Sequence, residues 1–346
     1  MESGIFHTTY ESDMALRRTP WMRWRIYILL VLLAIFPFVA NNYYLTLANQ
    51  IGIVAIAAIG LNILTGFTGQ ISLGTGGFMA VGAYTSGLLA ANLGLPWWLT
   101  IIIASIFTAL VGAFFGIPSL RLKGLYLAMA TLASQQIIEW AIIRSPLTGG
   151  VEALVLPAPT VFGRRANTEF GFYWIIFIIL IIVVFYTVNL FRSKIGRAFI
   201  AIRDQDIAAE VMGVNLFRYK ILSFATSSFI IGMAGGMLAN YRGIVSFERF
   251  TIEASIFYLA VIIIGGMGSV SGSIYGAIFM TLVPAILTNL GQTLGGSIPQ
   301  MAKLIPFIRQ GVFGLTIIIF LIFEPEGLAK IWRDIKDYLR LWPFSY

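Results

Sequence analysis

Cysteine is absent from the 346 residues, and histidine occurs once, as His7 in a polar N-terminal stretch. No disulfide can form, no thiolate is available, and one imidazole cannot assemble a histidine-based metal site. Redox and zinc chemistry therefore find no residues to work with. No stretch matches Gly-x-x-x-x-Gly-Lys-Ser/Thr, so the chain has no phosphate-cradling loop with which to hydrolyse ATP itself. Paired carboxylates of the kind that perform acid and base catalysis are also missing, which argues against a membrane enzyme.

Charge is scarce as well. Asp, Glu, Lys and Arg supply 11% of the residues, against about 25% in soluble domains. A water-soluble fold of this size could not cover its surface with so few charges. What is abundant is apolar: 58% of the chain, with a mean hydropathy of +0.88. An all-α, polytopic transmembrane helical bundle follows, with membrane lipid as its main surroundings. The net charge of +8 would suggest nucleic acid in a soluble protein. Here the basic residues sit between apolar runs and read as topology signals, so no nucleic-acid partner is expected.

Crossing about 30 Å of hydrocarbon takes about 20 helical residues. Ten runs qualify as candidates: Trp21 to Ala40, Tyr43 to Leu64, Leu73 to Leu93, Trp97 to Ile117, Gly124 to Ile143, Phe172 to Phe191, Ile221 to Tyr241, Ala254 to Met267, Gly272 to Leu290 and Phe307 to Phe323. Arg17, Arg18, Arg23 and Arg25 precede the first, as in a signal peptide, but Pro37, Asn41 and Tyr43 stand where small cleavage-site residues would be needed. An uncleaved first helix is expected. The organisation is thus a tail over 1–20, a membrane domain over 21–323 with a polar loop at 192–220, and a second tail over 324–346.

Lysine and arginine favour cytoplasmic loops. A chain starting inside puts Arg121, Lys123, Arg192, Lys194, Arg197, Arg203, Arg218, Lys220, Lys330, Arg333, Lys336 and Arg340 inside with the four N-terminal arginines. Outside fall only Arg144, Arg164, Arg165, Arg242, Arg249, Lys303 and Arg309. Both termini are expected in the cytoplasm. Tyr43, Tyr44, Trp97, Trp98, Tyr173 and Trp174 lie at outer span ends, where amphipathic rings prefer the headgroup layer. The turns 66–72 and 268–272 carry no Lys or Arg, so charge does not decide whether these segments cross or dip and return. The expectation is eight to ten spans.

Thirty-five glycines in such a chain either let helices pack closely or interrupt them. Gly66 to Ser72 and Gly265 to Ser271 share the pattern Gly-x-x-Gly-x-apolar-Ser. This points to an internal repeat with broken helices in corresponding halves, a feature that tends to line a transport path. Ordinary tight helix contacts are the plain alternative.

The loop from Arg192 to Lys220 has its own design. Asp204 can cap a helix whose first turn holds Asp206, continuing through Ala208, Ala209, Val211 and Met212, with Gly213 suited to the position past its end. A surface helix of about two turns results, presenting Ile207, Ala208 and Val211 on one face. So short a helix needs something to hold it. A protein partner and anionic lipid both satisfy that requirement.

The run from Gly196 to Asn215, with Arg218, Tyr219 and Lys220, resembles the cytoplasmic signature of the LivM-type permeases of high-affinity branched-chain amino acid importers. Similar agreement extends through Gly60 to Gly74, Gly82 to Tyr84, Arg121 to Ala128 and Gly265 to Ser269. The resemblance implies a permease subunit of an ATP-binding-cassette importer in the bacterial inner membrane, itself no enzyme. Implied partners are a related second permease subunit, two ATPase subunits that hold ATP and magnesium, and a periplasmic or lipid-anchored binding protein. It implies an ATPase-coupling role for Arg203, Asp204, Asp206, Ala208, Ala209, Glu210 and Gly213. Ala208, Ala209 and Gly213 fit the importer motif Glu-Ala-Ala-x-x-x-Gly, with Ile207 in place of its Glu, so the acidic contact passes to Asp206 or Glu210.

Polar groups within spans are costly facing lipid, so each is a candidate for the translocation path. Asn62, Gly66, Thr68, Gly69, Gln70, Ser72, Thr75 and Tyr84 surround the first break. Gln135, Gln136 and Glu139 fall in the fifth run, and Gly265, Gly268, Ser269, Ser271 and Ser273 at the second break. Together they could bind a carboxylate and an ammonium. Interhelical hydrogen bonding is the plain alternative, and for Glu139 it is pairing with Arg144. Urea or amide permeation and an ion-coupled carrier are the competing functions, the latter short of buried acidic pairs.

Overall fold

The computed structural model describes residues 20–341 apart from 121, 158, 162–163, 166–167, 296–298 and 325. Expectations resting on His7, Arg17, Arg18 and Arg121 lie outside the described residues. Every one of the ten apolar runs is helical. In chain order the helices are α1 (Pro20–Val39), α2 (Asn42–Asn62), α3 (Thr75–Leu93), α4 (Trp97–Gly116), α5 (Leu125–Arg144), α6 (Glu169–Arg192), α7 (Lys194–Val211), α8 (Leu216–Arg242), α9 (Ile252–Gly265), α10 (Val270–Gly295), α11 (Pro299–Phe323) and α12 (Leu328–Leu341). A π-helical turn, Ile63–Phe67, continues α2.

The chain divides into an N-terminal unit ending at Thr46 and a larger unit, Leu47–Tyr346. In the first, α1 carries Pro37 near its end and exposes Leu29, Leu32, Phe38 and Val39. Such a surface suits hydrocarbon rather than water. Tyr43 and Tyr44 stack edge to face with ring centres 5.5 Å apart.

In the larger unit, α8 packs along both α3 and α4, and α3 packs on α4. Lipid tails are as apolar as leucine, so close backbone approach and dispersion, rather than expulsion of water, hold these helices. Gly82 and Gly232 meet so closely that a methyl group on Gly82 would overlap the Gly232 backbone. Ile56, Ile59, Leu61, Phe78, Phe224, Ile230 and Ile231 fill the interior.

Among the described residues, five helices can cross a membrane by length and apolarity: α2 with its π turn, α4, α6, α8 and the Val270–Asn289 part of α10. A sixth results if Gln310–Phe323 and Leu328–Tyr338, bent by 51°, count as one span. Helix α9 has 14 residues, about 21 Å at 1.5 Å each, because the backbone turns away at Gly266, where φ is +119°.

Outside the helices, Leu154–Val155 (β1) and Ile244–Val245 (β4) pair antiparallel, as do Thr160–Val161 (β2) and Arg164–Arg165 (β3). The first pair ties the segment between α5 and α6 to the end of α8. Within the C-terminal stretch read as a tail, Leu328–Leu341 forms α12.

Candidate functional site

The two glycine breaks sit against one another. At motif position four, Gly69 and Gly268 adopt φ of +71° and +75°, the left-handed region that a side chain would strain. The shared spacing thus has a shared backbone shape. Asn62, the last residue of α2, joins the breaks. Its Nδ2 donates to the Ser269 carbonyl and to Ser273 Oγ, both at 2.8 Å, while its Oδ1 accepts from the Gly268 N–H at 2.9 Å. Gly66 lies so near the Gly268 amide that any side chain there would overlap it and Asn62.

Arg203 lies over this junction. Its Nη1 donates to the Gly66 carbonyl at 3.2 Å. A methyl group on Gly69 would stand 2.9 Å from Arg203 Cγ, and one on Gly268 3.1 Å from Arg203 Nη1. The guanidinium also holds Asp204, with Nη2 to Oδ1 at 3.0 Å. Asp204 therefore does not cap the surface helix as expected. The break comes one residue later, at Gln205, whose φ of −159° and ψ of 98° are extended and divide α7 in two. The first part, from Lys194, is capped by Ser193, whose side chain accepts from the Gly196 N–H. It makes the element longer than two turns, because capping competes locally while Arg203 and Asp206 find partners on other elements.

Asp206 turns inward. Its Oδ2 lies 2.6 Å from Lys123 Nζ and 3.8 Å from Lys220 Nζ, and the Lys220 side chain is only 7% exposed. The hydrogen bond from Lys123 is the main cause holding the Asp206 carboxyl below its ordinary range; partial burial opposes it, and the charges of Lys123 and Lys220 assist. Of the two acids considered for the outward contact, Glu210 is exposed, whereas Asp206 faces these lysines. Ala209 is buried at 5%, while Ile207, Val211 and Met212 are exposed at 65%, 82% and 84%. Ala208 shares that outer face. Gly213, at φ +89°, ends the helix: its N–H donates to the Glu210 carbonyl and that of Val214 to Ala209. Asn215 then caps α8, accepting from the Arg218 N–H.

Under this element lies a polar cavity of about 320 Å³, lined by Thr68, Gly69 and Gln70 of the first break together with Lys123, Arg203 and Asp206. Gln70 Nε2 reaches Ser223 Oγ at 2.9 Å. Gln135 belongs to a separate cluster: its Oε1 accepts from the Gly77 N–H and from Ser255 Oγ, and its Nε2 donates to the Phe250 carbonyl. Glu139 lines a cavity of about 10 Å³ beside Gln135, room for about one water. No ion pair joins Glu139 to Arg144 among the described residues.

Ser72 Oγ accepts from the Gly74 N–H. Tyr84 is buried, its hydroxyl without a partner among the described residues. Ser271 and Gln136 are exposed, and Gly265 is packed against Gly272. The path candidates thus fall into the junction, the Gln70 region and the Gln135 cluster, rather than one shared chamber.

Sequence reasoning missed Lys123 and Lys220 as site residues, counting them only as topology charges. It also missed Glu169, which accepts from Asn49 Nδ2 at 2.9 Å and from the Tyr241 hydroxyl at 2.7 Å.

The family described as branched-chain amino acid transport system / permease component matches residues 43–321. The high-affinity branched-chain amino acid transport system permease protein LivM of Escherichia coli K12 is 32% identical over 330 residues, covering 88% of this chain and 74% of that one. The protein of the same name from Salmonella typhimurium is 31% identical with the same coverage. A probable branched-chain amino acid transport permease protein LivH from Methanocaldococcus jannaschii is 26% identical over 83% of this chain and 92% of its own length. No solved structure matches.

Proposed function

The chain belongs to the branched-chain amino acid transport permease family, and from that premise we propose that it is the membrane subunit of an ATP-driven importer of branched-chain amino acids. Energy enters from a partner ATPase pair seated on α7. The observation that carries this reading is an outward apolar knob rooted on the hinges. Ile207, Val211 and Met212 are exposed on a short capped helix, while its base is bonded through Arg203 to Gly66 and through Asp206 to Lys123 and Lys220. Apolar side chains held out on a rigid support are what a groove in a partner would take up.

A push on that knob reaches the paired breaks without passing through flexible chain. Both breaks turn on glycines with positive φ and are bridged by Asn62, so they shift as a unit. Small rigid movements of packed elements of this kind switch between discrete arrangements. Outward-open and inward-open states are the two arrangements required here. The scattered polar clusters support a path completed by the second permease subunit, and the positions of the basic residues support cytoplasmic termini. A binding protein outside the membrane would deliver the amino acid.

The test is reconstitution into vesicles with and without candidate ATPase subunits and a candidate binding protein from the same organism. ATP-dependent leucine uptake is expected only with all components. Uptake by the chain alone, driven by an ion gradient, would overturn the reading in favour of a self-sufficient carrier.

A further inference from the structure

Helix α12 has the make-up of an interfacial segment. Leu328, Ile331, Trp332, Ile335 and Tyr338 recur at three- and four-residue spacing, with Lys330, Arg333, Asp334, Lys336 and Asp337 between them. One side is therefore apolar and the other charged. At 14 residues, about 21 Å, it cannot cross the hydrocarbon layer. It departs from α11 at 51°, as a helix leaving a span to lie along the surface would.

Its apolar side is not closed off. Trp332, Ile335 and Tyr338 are exposed at 58%, 46% and 59%. Between α12 and α10 runs a groove of about 440 Å³, lined by Ile331, Trp332 and Ile335 on one wall and Tyr275, Ile278 and Ile286 on the other. Ile278 and Ile286 are themselves exposed on α10, whose first 20 residues are long and apolar enough to span. The groove is thus continuous with a hydrocarbon-facing surface, and the sequence of α12 sets Lys330, Arg333, Lys336 and Arg340 against Asp334 and Asp337. Glu326 pairs with Lys330 at 3.6 Å and Arg333 at 3.1 Å, and Lys336 makes no ion pair among the described residues.

We propose that α12 binds anionic phospholipid, the groove taking an acyl chain and Lys336 with Arg333 taking the headgroup. Lipid rather than protein is favoured because the groove shares a wall with the apolar, span-length part of α10, Trp332 and Tyr338 recur on the apolar side of α12, where amphipathic rings suit headgroups, and Lys336, without an ion pair among the described residues, follows Ile335 at the edge of that side. The helix is rooted on the second glycine break. A methyl group on Gly327 would come within 2.6 Å of the Gly266 amide nitrogen and 2.7 Å of the Ile264 carbonyl, and Ala329 packs on Gly266. Lipid held by α12 therefore bears on the same hinge that Asn62 and Arg203 contact.

The absence of native cysteine allows single labels in the full chain. Ile335→Cys and Asp337→Cys would be spin-labelled in vesicles of phosphatidylcholine, with and without phosphatidylglycerol. Collisions with oxygen and with an aqueous nickel chelate would be compared. The label at 335 is expected to favour oxygen and that at 337 nickel, with phosphatidylglycerol deepening the former. Lys336→Gln should weaken the phosphatidylglycerol response about fivefold, the factor for one cation near an anionic surface, and adding Arg333→Gln should abolish it. Equal accessibility of the two labels, no response to phosphatidylglycerol, or a label at 335 shielded from both reagents in detergent as well, as a second copy of the chain would shield it, would each overturn the proposal. A normal thermal unfolding midpoint for Lys336→Gln guards against a folding defect.

Discussion

Arg203 and Gly66 are 137 positions apart, yet the guanidinium of one donates to the carbonyl of the other at 3.2 Å. This bond joins the surface helix α7 to the glycine break that ends α2. Arg203→Ala removes it, and a hydrogen bond from a charged donor contributes about 1.5–3 kcal/mol. ATP-driven uptake should fall at least tenfold while hydrolysis by the assembled complex persists, measured on the same vesicles. Arg203→Lys should restore little, since the ammonium cannot serve Asp204 and Gly66 with one planar fork. Tight coupling in both variants would detach Arg203 from the mechanism.

Asn62 satisfies three groups at the junction. Asn62→Ala leaves the Gly268 amide and the Ser269 carbonyl without this partner, at about 1–3 kcal/mol each. A fall of several degrees in the detergent unfolding midpoint is expected, and Asn62→Asp should not recover it, because a carboxylate cannot donate to Ser269.

Gly66→Ala places a methyl group against the Gly268 amide. Overpacking of this kind costs about 1–3 kcal/mol, so reduced stability and uptake are expected. Gly311→Ala, in open space within α11, is the control and should be neutral or slightly stabilising.

The Asp206 carboxyl titrates below its ordinary value of 3.8 in the folded chain. Its contribution to stability is then fully present above that value and is lost as pH falls through the lower folded-state pKa. Asp206→Asn should be destabilised near neutral pH by about 1–2 kcal/mol, below the full value of a charged hydrogen bond because solvent screens the exposed Lys123. Unfolding midpoints of the two proteins should converge in acid. A gap unchanged down to pH values well below 3.8 would mean that the charge pairs contribute nothing.

Val211 is 82% exposed, so Val211→Asp should leave the unfolding free energy within about 0.5 kcal/mol of the parent. Copurification of the ATPase subunits should nevertheless fail. Gly213→Pro and the paired reversal of Asp204 and Asp206 probe the same element, but both also disturb its folding, which makes Val211→Asp the cleaner test.

Much of this protein was legible in one dimension because membrane helices answer to local quantities. Apolar runs of the right length located α1 to α6 and α8 to α11, since backbone groups in lipid must bond within their own segment, whereas the polar, 18-residue α7 was read as two turns. Gly213 marked a helix end through turn chemistry confined to a few residues, while the Asn215 cap of α8 emerged only from the structure. The recurrence of Gly66 to Ser72 in Gly265 to Ser271 indicated two corresponding breaks. What spacing could not convey was that the breaks touch.

That contact, and the turn of Asp206 toward Lys123 and Lys220, depend on residues far apart in sequence, and only packing brings them within hydrogen-bond range. Asp204 shows the limit most plainly. Capping propensity favoured it as the helix start, but Arg203 took its carboxylate and the break moved to Gln205. Composition, apolar run length and turn residues by themselves determined the class of molecule and where its helices lie. The tertiary structure decided which polar groups join the hinges to the surface helix, because a bond of about 3 Å is set by the approach of whole helices and not by the order of residues along one.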